Sequence, residues 1–311
     1  LNYNTDQIVV STGAKQSIAN VMMSLVNPGD EVIIPAPYWV TYADIVALAE
    51  GVPVIIETAI ENDFKITADE LEAAITHKTR MMIYSSPCNP TGSLYSKDEL
   101  RNLANVIVKH ENVFVISDEI YEHINFVGKH QSLAQFPDVY DQVITINGVS
   151  KAFAMTGWRI GYIGAPTWIA QACTKMQGQI TSGTCGIAQR AAIAAVLASP
   201  TVTSEMKEAF HKRRDLVLGM LGEIEGVKIN LPEGAFYVFP DISSFFGKSD
   251  GTVTVNSADD LTMYILEKAN VALVTGAAFG APNCIRISYA ASEKNLTEAM
   301  NRIRKVLDEL K

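Results

Sequence analysis

Long apolar runs and positive charge are both scarce in this sequence. The longest apolar runs, such as AAIAAVLA at 191–198, are far shorter than the ~20 residues that span a bilayer. No signal peptide is evident, so we expect no membrane association. The 34 Asp and Glu residues outnumber the 25 Lys and Arg residues and give a formal net charge of -9. Because binding to a phosphate backbone needs clustered cations, we expect no nucleic-acid partner.

Cysteine is also scarce, and its spacing favours neither a disulfide framework nor a metal site. The four cysteines are Cys88, Cys173, Cys185 and Cys284, and no two of them form a C-x-x-C pair. This pattern favours free thiols in the reducing cytoplasm over a disulfide framework, and we expect no metal site. The G-x-G-x-x-G fingerprint of dinucleotide binding does not occur either.

The chain is rich in short apolar runs that alternate with helical patterns. These strand-like runs lie at 8–11, 31–35, 52–57, 81–86, 113–117, 143–146 and 159–164. They are apolar almost throughout, as is typical of strands that are covered on both faces. Capping boxes at Thr67/Glu70 and Ser96/Glu99 predict helices between them. We therefore predict an α/β fold with an open, mostly parallel sheet flanked by helices.

The pattern changes near residue 200, where a second domain is expected. Residues 204–224 predict one long helix, and short strand-like runs follow it. Helices are predicted at about 258–269 and 293–310, the last with a single apolar stripe. We predict a large domain over 1–208 and a smaller C-terminal α+β domain over 209–311.

Residues suited to ligand binding follow the strand-like runs, at the edge where open α/β sheets bind ligands. In chain order they are Gly13, Ala14 and Lys15, then Trp39, Asn89, Asp118, Tyr121, Ser150, Lys151 and Arg159. Arg286 lies in a further apolar run near the C-terminus. A glycine at a strand-to-helix turn exposes N–H groups that bind phosphate, and a buried arginine needs an anion such as a carboxylate.

Each of these residues singly has an ordinary structural explanation. Gly13 fits a turn, Lys15 a solvated charge and Trp39 core packing, while Asn89 fits a turn and Asp118 a helix N-cap. Jointly, their recurrence at one edge of the sheet indicates a pocket. The pocket would contain N–H donors, an aromatic side chain, a carboxylate and a lysine. These groups suit a phosphorylated, ring-shaped, protonatable cofactor and a carboxylate substrate.

The sequence resembles the fold-type I pyridoxal-phosphate aminotransferases, and within them the bacterial class-I aspartate aminotransferase group. The segments that carry the resemblance are STGAKQ, PYWVTY, CNPTG, SDEIYEH, SKAFAMTGWRIGY and IRISYA, in the family's order. The resemblance implies pyridoxal 5′-phosphate as cofactor and a mostly parallel sheet of seven strands. It also implies amino acids and 2-oxo acids as substrates, with aspartate and glutamate favoured, and a cytoplasmic homodimer.

The resemblance also assigns a role to each candidate residue. Lys151 becomes the catalytic lysine that bonds to the cofactor aldehyde and moves the α-proton, and Asp118 pairs with the pyridine nitrogen. The phosphate is held by the N–H groups of Gly13 and Ala14, by Arg159 and by Ser150. Tyr121 and Asn89 contact the ring oxygen, Trp39 stacks on the ring, Arg286 binds the α-carboxylate, and Lys15, on the phosphate turn, meets the side-chain carboxylate of a dicarboxylic substrate.

The sequence departs from the family pattern at one phosphate-binding position and at its N-terminus, and it leaves several functions open. Many relatives have a serine phosphate ligand three residues before the lysine, where this chain has Gly148. The chain starts at Leu1, and we expect an N-terminal segment that helps to select the substrate to be absent. The alternatives are a prephenate or aromatic aminotransferase, a pyridoxal-phosphate lyase or cyclopropane-forming synthase, and the effector-binding domain of a transcription regulator.

Overall fold

The structure, a computed structural model, describes residues 1–311 and contains one large and one small β-sheet. The large sheet consists of β1 (Ile8–Ser11), β2 (Glu31–Pro35), β3 (Val52–Ile56), β4 (Thr79–Ser85), β5 (Phe114–Asp118), β6 (Val143–Gly148) and β7 (Gly161–Gly164). The small sheet consists of β8 (Tyr237–Val238), β9 (Val274–Thr275) and β10 (Ile285–Ser288). The α-helices are α1 (Ala14–Leu25), α2 (Thr41–Leu48), α3 (Ala68–Ala74), α4 (Lys97–Ile107), α5 (Thr167–Ile180), α6 (Gly186–Val196), α7 (Thr201–Leu221), α8 (Ala258–Ala269) and α9 (Glu293–Leu307).

The large sheet is mostly parallel, as predicted. Its strand order is β1-β7-β6-β5-β4-β2-β3, and only β7 runs antiparallel to its neighbours. The connection from β6 to β7 covers residues 149–160 and holds no α-helix, whereas a parallel return needs a helical crossover. The chain therefore reverses at the carboxyl end of β6, and Lys151 lies on this reversal.

Local signals in the sequence predict most element boundaries well. Both capping boxes form: Thr67 accepts a hydrogen bond from the N–H of Glu70, and Ser96 accepts one from the N–H of Glu99. The long helix α7 begins at Thr201, three residues before its predicted start. It follows Pro200 directly, and proline is tolerated at a helix start because the N–H it lacks would have no intrahelical partner.

One strand contradicts the prediction that all the apolar runs are covered on both faces. β3 is one of the two edge strands of the large sheet, and the side chains of Val52 and Ile55 are exposed. Its only local sign of this was a proline, because strand order itself depends on contacts between distant segments. Pro53 lies within β3, which fits an edge position, since proline cannot donate a ladder hydrogen bond.

Helices cover both faces of the large sheet and form two apolar layers. Side chains of α1, α2 and α5 pack in one layer, and those of α3 and α4 pack in the other. None of the helices combines the length and the apolar character that a bilayer crossing requires.

A third apolar cluster joins the small sheet to α7, α8 and α9, and it supports the predicted second domain. Within α7 its buried members begin at Phe210 and continue to Leu221. The boundary at 208/209 stays a prediction, and it falls close to the residue where α7 enters this cluster. Ile120 and Tyr121, which follow β5, also belong to the cluster, so it reaches the carboxyl edge of the large sheet.

Candidate active site

A cavity of about 300 Å³ lies at the carboxyl edge of the large sheet. Nine of the predicted site residues line it: Ala14, Lys15, Trp39, Asn89, Asp118, Tyr121, Ser150, Lys151 and Arg159. The other two lie beside it, because Gly13 packs against Arg159 and Arg286 hydrogen-bonds Asn89. Three cations and one carboxylate line the cavity, so it has a local positive charge in a protein of net charge -9.

One end of the cavity is built to hold an anion. The N–H groups of Ala14 and Lys15, in the first turn of α1, donate to no acceptor within the chain. Such free donors at a helix N-terminus bind phosphate. A Cβ at Gly13, whose φ is +89°, would lie 2.2 Å from Nη2 of Arg159. The glycine therefore lets the guanidinium approach the start of the helix.

The prediction that Gly13 donates to the phosphate is not supported by this geometry. Its N–H donates to the carbonyl oxygen of Ser11 at 2.8 Å. Gly13 acts through its missing side chain, and the free donors lie one and two residues later. Close packing recurs across the turn, since a Cβ at Gly161 would lie 2.2 Å from the amide nitrogen of Ala14.

Asp118 ends β5 as a buried carboxylate with two hydrogen bonds. The hydroxyl of Tyr42 donates to its Oδ2 at 2.7 Å, and the N–H of Ile120 donates to its Oδ1 at 3.2 Å. Burial raises the pKa of Asp118 to about 6, although the Tyr42 and Ile120 hydrogen bonds and Lys151 oppose this. Burial also raises the pKa of Tyr42 well above its ordinary value, so Tyr42 stays a donor. Asp118 is therefore ionised above about pH 6 and can hold a cationic ring nitrogen.

We expect Tyr42→Phe to raise the pKa of Asp118, because the variant removes a hydrogen bond that favours the carboxylate. A hydrogen bond to a charged group contributes roughly 1.5–3 kcal/mol, so the acid limb of the pH–kcat/KM profile should move up by about one pH unit. Tyr84→Phe is the matched control, since the buried Tyr84 hydroxyl pairs with Ser117. An acid limb that stays in place in Tyr42→Phe would contradict this role.

Lys151 lies on the β6–β7 reversal, and its amine is close to two aromatic rings. Its Nζ is 5.7 Å from the ring centroid of Tyr121 and 5.6 Å from that of Phe236. Burial lowers the pKa of Lys151, and the nearby Arg286 and Arg159 lower it further, while Asp118 opposes them. A lowered pKa makes a larger fraction of the amine neutral near pH 7. Only the neutral amine can act as a nucleophile or accept a proton.

Arg286, on β10 of the small sheet, lies beside the cavity and contacts Asn89 in its lining. Its Nη1 donates to Oδ1 of Asn89 at 2.9 Å, and its guanidinium lies 4.6 Å from the ring centroid of Tyr237 and 4.8 Å from that of Phe279. Its Nε is buried and has no partner. A buried donor without a partner is costly, and a carboxylate with its two oxygens suits the guanidinium fork.

Lys15 and Trp39 meet at the mouth of the cavity. The Nζ of Lys15 lies 4.9 Å from the ring centroid of Trp39, and the Trp39 ring packs edge-on against Tyr42 at 5.6 Å. Trp39 is half-buried, so one part of its ring faces the cavity. The cation is free of any carboxylate partner within 4.0 Å and can therefore meet a negative charge on a ligand.

Gly148 occupies the position where many family members were expected to have serine. A Cβ there would lie 2.7 Å from the carbonyl oxygen of Ile160 and 3.0 Å from Cα of Gly161. The close pairing of β6 and β7 therefore excludes a side chain at this position. Thr156, which lines the cavity near Arg159, supplies another hydroxyl at the same end.

Sequence reasoning missed four residues that line the cavity and two that support Arg286. They are Tyr42, Ser85, Ile120 and Thr156 on the cavity wall, and Tyr237 and Phe279 beside the guanidinium. Tyr42 had a signal, because it belongs to the same PYWVTY segment as Trp39 and lies only three residues after it. Tyr237 and Phe279 had none, since only the packing of the small sheet brings them to the site.

Comparisons with known proteins identify the family to which this chain is similar. The model of the aminotransferase class I and II family matches residues 1–303. The bifunctional aspartate aminotransferase and glutamate/aspartate-prephenate aminotransferase of Petunia hybrida is 49% identical over 100% of this chain and 66% of its own length. The aspartate/prephenate aminotransferase of Cereibacter sphaeroides is 47% identical over 98% of this chain and 77% of its own.

A solved structure agrees with the fold. The crystal structure of the aspartate aminotransferase from Rhizobium meliloti superimposes with a TM-score of 0.97 at 44% identity, covering 100% of this chain and 78% of that one. The chain spans about two thirds of the Petunia hybrida protein's length. The match over nearly all of this chain, in sequence and in fold, shows that it belongs to the class I and II aminotransferase family.

Proposed function

We propose that this protein is a pyridoxal-phosphate-dependent aminotransferase that exchanges the amino group between aspartate or glutamate and 2-oxo acids. The observation that carries the proposal is the grouping of Lys151, Asp118 and the free N–H groups of α1 in one cavity. Together they offer a reactive amine, an anion for a ring nitrogen and a phosphate site. The names of the similar proteins support the same reaction.

The cavity fits pyridoxal phosphate by the chemistry of its donors. The N–H groups of Ala14 and Lys15 would hold the phosphate, with Arg159 and the hydroxyls of Ser150 and Thr156. Asp118 would pair with the pyridine nitrogen, Tyr121 and Asn89 would contact the ring oxygen, and Trp39 would stack on the ring. When bound, the cofactor supplies an aldehyde that bonds to amines and a ring that draws electrons from the amino acid's α-carbon.

The chain's own residues then bind the substrate and move its proton. Arg286 binds the α-carboxylate through its fork, and Asn89 orients the guanidinium. Lys151, as a neutral amine, accepts the α-proton at Nζ, holds it and would pass it to the aldehyde-derived carbon of the cofactor instead of returning it to the α-carbon. Asp118 keeps the ring nitrogen protonated, because an ionised carboxylate favours the cationic form of its partner.

Lys15 is the residue that we propose to select dicarboxylic substrates. Its side chain is exposed beside Trp39, and both residues line the cavity. Prephenate also carries two carboxylates, and the Cereibacter sphaeroides relative is named for both aspartate and prephenate. A prephenate aminotransferase is therefore the second candidate function.

We expect Lys15→Ala to lower kcat/KM for aspartate by about tenfold, because it removes one charge pair with the substrate. The value for phenylalanine, which has no second carboxylate, should change less than about twofold. Steady-state assays with aspartate, phenylalanine and prephenate on the wild type and the variant measure both effects. An equal loss for aspartate and phenylalanine would contradict the assignment of Lys15. Negligible wild-type turnover of aspartate and prephenate would contradict the proposed substrates.

We also propose that the protein is a homodimer in the cytoplasm. The supporting surface is the exposed face of α6 and its C-terminal end, where Ile187 is 75% and Leu197 is 78% exposed. Large exposed apolar patches mark interaction surfaces. This helix packs on Val149 and Ile160, so a second copy there would lie close to the Lys151 reversal. The four cysteines are free, which supports a reducing compartment. Light scattering in solution tests the dimer.

A further inference from the structure

Tyr237 connects two parts of the site that belong to different sheets. It lies on β8 of the small sheet, pairs with Ser288 on β10, and is buried. Its hydroxyl oxygen is 3.0 Å from that of Tyr121, which follows β5 of the large sheet. Its ring centroid is 4.6 Å from the guanidinium carbon of Arg286. One side chain thus contacts both Tyr121 and Arg286 through different parts of its structure.

We propose that Tyr237 is a positioning residue that links the carboxylate-binding Arg286 to the cofactor-contacting Tyr121. The proposal rests on the proposed aminotransferase function, which assigns those two contacts. It goes beyond that function, because nothing in the reaction itself requires Tyr237.

The ring of Tyr237 holds Arg286 in place. The guanidinium packs against Tyr237 and Phe279, and its Nη1 is tied to Asn89. An aromatic face attracts a cation by about 0.5–2 kcal/mol and leaves the in-plane N–H groups free. These contacts fix the guanidinium before a carboxylate arrives, and they leave its Nε without a partner. Pre-organisation of this kind lowers the entropy cost of binding.

The hydroxyl of Tyr237 acts on Tyr121 separately. When Tyr121 donates to the ring oxygen of a bound cofactor, the Tyr237 hydroxyl is placed to donate to the Tyr121 oxygen. Donors in series strengthen one another. Burial raises the pKa of Tyr121 well above its ordinary value. Of the charged groups nearby, Asp118 raises this pKa and Arg286 lowers it, and Lys151 lies over the Tyr121 ring. Arg286 also lowers the pKa of Tyr237, against the dominant effect of burial.

Two variants separate the two roles. Tyr237→Phe keeps the ring and removes the hydroxyl, whereas Tyr237→Leu removes both. The first readout is the dissociation constant of succinate, a dicarboxylate with no amino group to react, measured by calorimetry on the protein with its cofactor. The second readout is the pH midpoint of the visible absorbance of the bound cofactor. Tyr264→Phe is the matched control, because that hydroxyl bonds Asp250 far from the cavity.

We expect Tyr237→Phe to bind succinate within about threefold of the wild type, since the cation–ring contact remains. Its absorbance midpoint should rise by about half a pH unit, because Tyr121 becomes a weaker donor. Tyr237→Leu should weaken succinate binding by about tenfold, and the control should change neither readout. An unchanged midpoint in Tyr237→Phe, or wild-type succinate affinity in Tyr237→Leu, would overturn the proposal.

The succinate readout does not depend on turnover. If the wild type fails to transaminate aspartate, the proposed function fails, yet the comparison of succinate affinities still decides whether Tyr237 positions Arg286.

Discussion

Lys151→Ala is expected to lower kcat/KM for aspartate by more than about 10⁴-fold while leaving the fold intact. The variant removes both the amine that bonds to the cofactor and the base that moves the α-proton, and general acid–base catalysis alone contributes about 10²–10⁴-fold. Lys151 forms no ion pair within 4.0 Å, so its loss leaves no buried charge unpartnered. Steady-state assays with aspartate and 2-oxoglutarate measure the loss.

The control for this variant is Lys294→Ala, which removes an exposed lysine from α9 of the small domain. Its activity and melting temperature should match the wild type. A Lys151→Ala protein that melts like the wild type but keeps more than about 1% of its activity would contradict the catalytic role of Lys151. Added methylamine should restore part of the lost activity, because a free amine can enter the space and accept the proton.

Arg286→Leu is expected to lower kcat/KM for aspartate by about 10²- to 10³-fold, mainly through KM. The variant removes a bidentate, charge-assisted contact with the α-carboxylate, and losing one partner of such a pair costs about 2–5 kcal/mol. It also frees the carbonyl of Asn89, which now accepts from Nη1. Initial rates over a range of aspartate concentrations separate KM from kcat.

Arg286→Lys distinguishes the fork from the charge alone. Lysine keeps the positive charge but cannot form two parallel hydrogen bonds, so we expect it to recover only a small part of the loss. Arg302→Leu, at an exposed position on α9, is the control and should leave KM unchanged. Full recovery by lysine would show that charge, not geometry, binds the carboxylate.

Much of the fold was predictable because its signals are local. β1 and β2 match their predicted limits, and α8 matches the helix predicted at about 258–269. Strands of nearly continuous apolar sequence also predicted a mostly parallel sheet. The edge position of β3 had one local sign, Pro53, but the strand order as a whole was not predictable, because it follows from contacts between distant segments.

The cavity was predictable because its residues follow the ends of the strands in the sequence. Parallel strands end at one edge, so Asn89, Asp118 and Lys151 had to come together there. What the sequence could not show was which donors stay free. Gly13 was predicted to donate to a phosphate, but its N–H bonds Ser11, and this depends on the backbone angles of one turn.

Contacts between the two sheets were beyond sequence reasoning. Tyr237 and Phe279 come from apolar stretches that look like ordinary core, and only the packing of β8 and β10 brings them to Arg286. Gly148 shows the reverse case. Its missing side chain departs from the family pattern in sequence, and the structure explains it by the close approach of Ile160.

The central claim is that the cavity binds pyridoxal phosphate through Lys151 and acts on aspartate. The most direct test is a visible absorbance spectrum of the purified full-length protein with pyridoxal phosphate, before and after aspartate is added without any 2-oxo acid. We predict a visible band that Lys151→Ala alters and that aspartate converts to the amine form of the cofactor, while phenylalanine does much less. A protein that forms no band with added pyridoxal phosphate would contradict the cofactor site, and a band that ignores aspartate would contradict the substrate.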